Sequence, residues 1–274
     1  MREPTVAAVM LCSPGREAYQ SQALSCLERQ TYTGDIRLVS IPAIPGVTIG
    51  EMRNRANTLA GETDIICHWD DDDWSHPNRI AEQVALLQVS GADCVGYNEM
   101  LFWRQANFGL SAALATLARN WRTWCRRHGL AEHECDCGDC IGEAWLYSNP
   151  NPRYALGTSL CCWRLAWEAR PFQDLQHGED TEWLKGVRCH AVGSAEHMTC
   201  CDTGSRSAGH AHDSDCYSKR QPEPRMIARI HSGNSSSAYD PIEMARHNAL
   251  PRAERQWSRA AEWDKVCRGA MECV

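Results

Sequence analysis

Long apolar runs are absent from this sequence: no stretch approaches the roughly 18 apolar residues that a membrane-spanning helix needs. The apolar stretch from Val6 to Leu11 is short, and its one nearby cation, Arg2, is offset by Glu3. It therefore predicts a first strand and not a signal peptide. An excess of positive charge is also absent, since the net charge is −7 over 274 residues, which does not favour nucleic acid as an overall partner. We therefore expect a soluble, cytoplasmic protein.

Internal repeats are lacking as well, and the first half instead alternates strand and helix patterns. The predicted strands are 5–11, 35–41, 64–69 and 93–97, and the predicted helices are 17–30, 50–60 and 77–89, with Pro77 in the first turn. Later patterns predict a strand and helix over 156–167, a helix from Gly178 through Leu184, and a final strand at 225–231. This order predicts an α/β fold with a mostly parallel sheet and helices on both faces.

The second half of the chain is less regular. Residues 103–152 break the alternation and are rich in basic residues, tryptophan and cysteine. We predict that they form an insertion within a single domain spanning 1–274. The charged segment 238–274 predicts a C-terminal helical tail, with Trp257 and Trp263 as anchors of a closing helix.

An apolar run at 65–69 ends abruptly in four consecutive carboxylates, Asp70 to Asp73. Four adjacent anions repel one another, and burying any of them requires a partner or a metal. If 65–69 is a strand, the carboxylates lie at its C-terminal end, where open α/β sheets bind ligands. A divalent cation with oxygen ligands would offset the repulsion and could hold a diphosphate. The alternative is a solvated acidic turn that caps the helix near Pro77.

Sixteen cysteines are many for a chain of this size. Six lie in apolar segments and are predicted to be core residues: Cys12, Cys26, Cys67, Cys94, Cys161 and Cys162. A polar stretch predicts a structural zinc site, although its spacing matches no zinc-finger signature: Cys125, His128, His133, Cys135, Cys137 and Cys140. A looser group has three interpretations, namely zinc ligands, a disulfide or a polar loop: Cys200, Cys201, His210, His212 and Cys216.

Three polar clusters follow or end apolar segments: Asp70 to Asp73, Glu179 with Asp180, and His231 with Asn234. Other short motifs lie in order around them: Gln30-Thr31-Tyr32, Gly50-Glu51-Met52-Arg53-Asn54 and Gly157-Thr158-Ser159-Leu160. Together they resemble the family 2 inverting nucleotide-sugar glycosyltransferases, which have the GT-A fold. The resemblance covers residues 5–100 and 155–237.

The resemblance implies a metal-dependent transfer of a sugar from a nucleotide-sugar, which we take to be a UDP-sugar, to an acceptor hydroxyl. Asp70 and Asp72 would form the D-x-D pair. Asp72 would ligate Mn²⁺ or Mg²⁺, and Asp70 would contact the ribose or a metal-bound water, with Asp71 beside it on the donor. His231 would complete the metal or diphosphate site. Such a cation neutralises charge on the departing diphosphate.

Within the same resemblance, Asp180 would be the general base for the acceptor hydroxyl, and Glu179 would orient it or bind the acceptor. Arg53 and Asn54 would contact the nucleotide base or phosphates. From the residues alone other interpretations stay open: helix-dipole complements for Glu179 and Asp180, a structural histidine for His231, and a solvated helix face for Arg53 and Asn54.

The chain also departs from the family pattern. Many family members have an Asn-Arg pair after the first strand, where this chain has Ser13-Pro14-Gly15-Arg16. The acidic pair that usually follows the second strand and reads the nucleobase is missing from Ser40-Ile41-Pro42-Ala43. Recognition of the base therefore does not follow from the resemblance.

The insertion offers a clue to the acceptor, because arginines and tryptophans alternate in it: Arg119, Trp121, Arg122, Trp124, Arg126 and Arg127. That composition suits phosphates and stacked bases, so hydroxymethylated DNA, as for a phage-type enzyme in a host cytoplasm, is one candidate acceptor. A saccharide, including one at the cell surface, is another. The same residues also suit an amphipathic helix packed on the sheet. A non-enzymatic alternative is an inactive GT-A scaffold whose zinc-bearing insertion binds nucleic acid or protein.

Overall fold

The structure is a computed structural model, and it describes residues 2–105, 142–193, 223–231 and 256–272. The chain divides into two compact units. The larger unit comprises Met1–Met100 and Asn149–Ile227, and the smaller comprises Leu101–Ser148 and Ala228–Cys273. Among the described residues, no helix combines the length and apolar character that crossing a bilayer requires.

The helices and strands follow the predicted alternation through the first half of the chain. In chain order they are β1 (Val6–Cys12), α1 (Glu17–Glu28), β2 (Ile36–Pro42), α2 (Ile49–Leu59), β3 (Ile65–His68), β4 (Trp74–Ser75), α3 (Arg79–Ser90), β5 (Cys94–Arg104), β6 (Glu143–Ser148), β7 (Cys161–Trp163), α4 (Arg164–Ala169), α5 (Glu179–Leu184), β8 (Cys189–Gly193), β9 (Met226–Ile230), β10 (Gln256–Arg259) and α6 (Asp264–Glu272). A short 3₁₀ turn, Gly157–Ser159, precedes β7.

The sheet of the larger unit is mixed. Strand β1 pairs in parallel with β2 and with β3, so that Val6 lies beside Ile36 on one side and Ile65 on the other. Strand β7 runs antiparallel between β3 and β5, and β8 adds to β5 in parallel. The short strand β4 pairs antiparallel with the start of β9. The parallel strands place their carboxyl ends at one edge, where the acidic residues after β3 emerge.

Helices cover both faces of this sheet, as predicted. Alternate residues of β1 point to opposite faces, so Ala7 and Val9 join one apolar cluster while Val6, Ala8 and Met10 join the other. The first cluster includes residues of α2, α4 and α5: Ala56, Trp167, Trp183 and Leu184. The second includes residues of α1 and α3: Ala23, Cys26, Ile80, Val84 and Leu87. The predicted α/β class is confirmed.

Helix ends show where local chemistry sets the boundaries. Helix α2 begins after Thr48, whose Oγ1 accepts a hydrogen bond from the Glu51 amide at 3.2 Å. Helix α3 ends at Gly91, whose φ of 64° lies in the left-handed region that favours glycine. The prediction for Pro77 is wrong by two residues, because the helix begins at Arg79 and the Pro77 carbonyl instead accepts from the Thr31 amide at 2.8 Å.

The smaller unit contains elements that the sequence did not indicate. Strand β6 pairs antiparallel with β10, so that Tyr147 lies opposite Trp257. The ring centroids of these two residues are 5.2 Å apart, and Phe102 lies 4.8 Å from Trp257. Trp257, predicted as an anchor of a closing helix, lies in strand β10 and packs on aromatic residues across the strands. Helix α6 follows this strand in the chain. The insertion at 103–152 and the tail at 238–274 stay predictions.

Cysteine burial agrees with the core prediction. Five of the six predicted core cysteines are buried and Cys12 is half-buried, and each of them is a free thiol. Cys189 and Cys267 are also buried and free. Both predicted Cys/His groups lie outside the described residues: Cys125, His128, His133, Cys135, Cys137 and Cys140, and Cys200, Cys201, His210, His212 and Cys216.

Candidate functional site

The four carboxylates after β3 lie against the protein and not in solvent. Asp71, Asp72 and Asp73 are 2%, 5% and 5% exposed, and Asp70 is half-buried. A solvated acidic turn, the alternative that the sequence left open, would leave them accessible. Buried carboxylates need partners, and three arginines of the larger unit lie beside or beneath this acidic loop.

Arg16 is the first of these arginines, and it spans two of the carboxylates. Its Nη1 donates to Asp71 Oδ1 at 2.9 Å and to Asp72 Oδ2 at 2.8 Å. Asp71 Oδ2 also accepts from the Ser13 amide at 2.7 Å and from Gln20 Nε2 at 3.3 Å. Asp71 therefore ties the loop after β1 to the loop after β3. Its predicted contact with the donor stays a prediction.

Arg79 is fully buried beneath the acidic loop. Its Nη2 donates to the carbonyl of His68 at 2.7 Å and to that of Thr158 at 3.0 Å. Thr158 Oγ1 in turn donates to Asp73 Oδ2 at 2.6 Å. The arginine thus joins the end of β3 to the 3₁₀ turn before β7 and fixes both sides of the loop.

Three of the carboxylates are close enough to hold one cation. Asp70, Asp72 and Asp73 each offer an oxygen, and these oxygens lie within 4.8 Å of one another. Carboxylate oxygens are hard ligands of the kind that Mg²⁺, Mn²⁺ and Ca²⁺ prefer. This donor set fits the divalent cation implied by the family resemblance, and it contains both members of the predicted D-x-D pair.

Arg53, in helix α2, is the third arginine near the acidic loop. Its Nε donates to Glu179 Oε1 at 3.0 Å, and its Nη1 lies 2.7 Å from His68 Nδ1. Burial lowers the pKa of Arg53, but the charges of Asp70, Glu179 and Asp180 outweigh burial and the net pKa is raised. One buried guanidinium therefore interacts electrostatically with the acidic loop and with the acidic pair of α5.

The pKa values of His68 and Glu179 are shifted in opposite directions beside the buried Arg53. Burial, followed by the charge of Arg53, holds the pKa of His68 well below its ordinary value, so the ring is neutral. Because a guanidinium only donates, Nδ1 accepts from Arg53 and the ring proton sits on Nε2. Burial raises the pKa of Glu179 more than Arg53 lowers it.

Asp180 is the second residue of α5 and lies against the 3₁₀ turn. A Cβ built on Gly157 would stand 2.5 Å from Asp180 Oδ2, so only glycine leaves room for this carboxylate. Asp180 Oδ1 accepts from the Thr181 amide at 2.6 Å. Asp180 is half-buried, so the proposed base is accessible where Glu179 is not.

Two other predicted site residues have identified surroundings. Asn54 Oδ1 accepts from Trp167 Nε1 at 3.0 Å and from the Phe172 amide at 2.9 Å, and its Nδ2 donates to the Phe172 carbonyl at 2.8 Å. These bonds hold the segment after α4 onto α2. His231 is buried directly after β9 and belongs to the smaller unit. The donor contact of Asn54 and the metal contact of His231 stay predictions.

Sequence reasoning did not assign roles to Arg16, Arg79, His68 or Thr158. Arg16 belongs to a segment that departs from the family pattern. It follows β1, which pairs with β3, so both loops lie at the same sheet edge. A cation after β1 could therefore be expected to pair with the acidic loop after β3. Thr158 lies in a small-residue motif that assigns it no role, and Arg79 lies two residues after Pro77. Their contacts connect segments far apart in the chain, which no local pattern reveals.

Comparison with known proteins gives no match in sequence: no family model and no curated protein matches this chain. Among solved structures, the chain is similar to S. aureus TarS 1-349 in complex with UDP-GlcNAc, at 11% identity and a TM-score of 0.46, covering 90% of this chain and 64% of that one. It is also similar to TarS 1-349 in complex with UDP, at 10% identity and a TM-score of 0.44, covering 84% and 61% of the two chains. For S. aureus TarS the identity is 10% and the TM-score is 0.43, and the match covers 93% of this chain and 41% of that one. The chain thus spans less than two thirds of the length of these neighbours.

Proposed function

We propose that this chain is a metal-dependent inverting glycosyltransferase with the GT-A fold, which moves a sugar from a nucleotide-sugar, a UDP-sugar, to an acceptor hydroxyl. The observation that carries the proposal is the convergence of two acidic clusters on one buried cation. The Asp70 to Asp73 loop and the Glu179-Asp180 pair are about 110 residues apart in sequence, yet Arg53 donates to Glu179 at 3.0 Å and to His68, two residues before Asp70, at 2.7 Å. The first cluster suits a cation and the second suits a base, which are the two requirements of this reaction.

Asp180 acts as the general base. It removes the proton of the acceptor hydroxyl as that oxygen attacks the anomeric carbon, and the bond from that carbon to the diphosphate oxygen breaks on the opposite face. The nucleoside diphosphate leaves with the bonding electron pair, and the configuration at the anomeric carbon inverts. The half-buried position of Asp180 against Gly157 supports this role.

Asp70, Asp72 and Asp73 would hold the divalent cation, Mn²⁺ or Mg²⁺. The cation supplies charge neutralisation for the diphosphate leaving group. Arg16 holds Asp71 and Asp72 in place through its two short hydrogen bonds. Arg79 and Thr158 fix the loop from the other side.

The test is a screen of UDP-sugars and other nucleotide-sugars with Mn²⁺, measured with and without hydroxymethylated DNA or candidate saccharides. Wild type is compared with Asp180→Asn, and Asp93→Asn serves as the matched control because Asp93 pairs with the exposed Arg188 outside the site. We expect sugar transfer by wild type and by the control. Asp180→Asn should lose about 10²-fold to 10⁴-fold in kcat, the range typical of general bases.

The acceptor is identified by the arm that shows transfer. Transfer to hydroxymethylated DNA would establish DNA modification, whereas transfer to a saccharide with DNA inert would assign the ordinary acceptor class. Full activity of Asp180→Asn would refute the proposed base. The absence of turnover with every donor would refute the enzymatic proposal and favour an inactive scaffold.

A further inference from the structure

Arg53 contacts the residue next to the proposed base. It donates to Glu179 at 3.0 Å, and Glu179 is the residue directly before Asp180. Arg53 Nη1 also donates to His68 Nδ1 at 2.7 Å. Asp180 lies against Gly157, where an added Cβ would stand 2.5 Å from Asp180 Oδ2. Arg53 therefore fixes the residue before the base, and Gly157 limits the space that the base can occupy.

Arg53 holds two residues, Glu179 and His68, at the same time. Its side chain is 10% exposed and that of Glu179 is 6% exposed, so the ion pair is shielded from solvent. A guanidinium is planar and donates in fixed directions, which lets one side chain serve a carboxylate through Nε and an imidazole through Nη1. A shorter or more flexible cation would serve one of these partners but not both.

We propose that Arg53 is a positioning residue: it anchors Glu179 at the first position of α5 and thereby sets Asp180 in the reacting geometry, and it is not a ligand of the nucleotide. The inference rests on the proposed function for its link to turnover. It differs from the donor contact that the family resemblance implied for Arg53, because Nε and Nη1 are directed at the protein groups Glu179 and His68 and the side chain is only 10% exposed.

The anchoring also explains why Glu179 is buried beside a solvent-accessible aspartate. Helix α5 has only six residues, and its N-cap, Gly178, makes no side-chain capping bond. Such a short helix has little stability of its own. The Glu179 to Arg53 bond ties its first turn to α2, which is longer and packed on the sheet.

The experiment compares Arg53→Gln and Arg53→Lys with Arg55→Gln as the matched control. Arg55 lies on the same helix but is exposed, and it pairs with Glu51, one turn earlier along the helix. Three quantities are measured for each protein: UDP affinity by calorimetry, kcat and KM for the donor across pH, and hydrogen exchange of the peptide covering 178–185. Circular dichroism confirms that each variant is folded.

For Arg53→Gln we expect kcat to fall about 10²-fold, the loss typical of a misplaced catalytic group, while UDP affinity changes less than about twofold. The acid limb of the kcat profile should move to higher pH, because the cation that stabilised the carboxylates is gone. Arg53→Lys should recover part of kcat by pairing with Glu179. Exchange in α5 should become faster in Arg53→Gln and stay unchanged in Arg55→Gln.

Two results would overturn the inference. One is a large loss of UDP affinity in Arg53→Gln with kcat retained, which would make Arg53 a nucleotide ligand. The other is unchanged exchange in α5, which would show that Arg53 does not anchor this helix. The exchange measurement needs no turnover, so it decides the inference even if wild type acts on no donor, an outcome that would refute only the proposed function. If Arg53→Gln does not fold, Arg53→Lys and Glu179→Gln carry the same comparison.

Discussion

Replacing Arg79 by methionine tests whether the acidic loop depends on a cation buried beneath it. Arg79 is fully buried and donates four hydrogen bonds: two from Nη2 to the His68 and Thr158 carbonyls, one from Nη1 to Ser75 Oγ at 3.0 Å, and one from Nε to Gln83 Oε1 at 3.3 Å. Methionine keeps much of the apolar volume but donates none of these bonds. Arg79→Met therefore isolates the polar contribution.

The expected loss follows from the groups left behind. The buried His68 carbonyl without a donor costs about 1–3 kcal/mol, and the half-buried Thr158 carbonyl costs about 1 kcal/mol. The cation also lies 4.8 Å from the Trp69 ring centroid, a contact worth about 1 kcal/mol. We expect Arg79→Met to lower the free energy of unfolding by about 4 kcal/mol, equivalent to a fall in Tm of about 8–16 °C for a chain of this size. Urea unfolding followed by tryptophan fluorescence measures the first, and thermal circular dichroism measures the second.

The matched control for that experiment is Arg55→Met. Arg55 pairs with Glu51 at 2.9 Å on the exposed side of α2, and an exposed pair of this kind contributes about 0.5 kcal/mol or less. If Arg79→Met lost less than about 1 kcal/mol, its buried hydrogen bonds would not support the loop and the reasoning would be refuted. A loss equal to that of Arg55→Met would have the same meaning.

Three further outcomes are expected. Gly157→Ala should reduce donor turnover at least about tenfold, because its Cβ would stand 2.5 Å from Asp180 Oδ2 and displace the base; unchanged kinetics would show that the base does not depend on this contact. Asp72→Asn should weaken Mn²⁺ binding by about tenfold or more in a titration monitored by electron paramagnetic resonance, since it removes one of three carboxylate ligands, and equal affinity would remove Asp72 from the site. Hydrogen bonds from Thr5 hold the pKa of Asp64 below its ordinary value of 3.8, so the stability that Asp64 contributes is present above pH 3.8 and is lost as pH falls through the lowered pKa. The free energies of urea unfolding of Asp64→Asn and wild type should therefore differ at pH 7 and converge in acid. A difference between them that persists in acid would contradict this.

Local patterns in the sequence predict much of the fold of the larger unit. The β1, α2 and α5 segments can be predicted because their signals are local. Each has a regular spacing of apolar residues or a residue that marks its boundary, such as Thr48 before α2 and Gly178 before α5. The two-residue strand β4 carries no such period, and it exists only because β9 pairs with it. The pairing of β10 with β6, which places Trp257 opposite Tyr147, is a long-range event that no local pattern around Trp257 predicts.

The candidate site was predictable in position but not in its contacts. A carboxylate run at a strand end indicates a site whatever its partners are, so Asp70 to Asp73 could be found from the sequence. The partners were not predictable, because Arg16 and Thr158 form hydrogen bonds to the loop from separate segments of the chain. A helix position such as Asn54 has the same local sequence whether its amide faces solvent or holds Phe172.

The contacts of the four adjacent carboxylates divide them into two kinds, a division that their identical chemistry conceals. Asp71 is excluded from the group that can share a cation and is held by Arg16, Ser13 and Gln20. Asp70, Asp72 and Asp73 supply the cation ligands, and Asp72 also accepts from Arg16, so this arginine links the two kinds. Arg16, Arg53 and Arg79 carry three positive charges, fewer than the negative charges of the four loop carboxylates together with the acidic pair of α5. The negative charge that remains is what a divalent cation would balance. The same excess negative charge would repel a diphosphate in the absence of that cation, which is the physical reason to expect donor binding and metal binding to occur together.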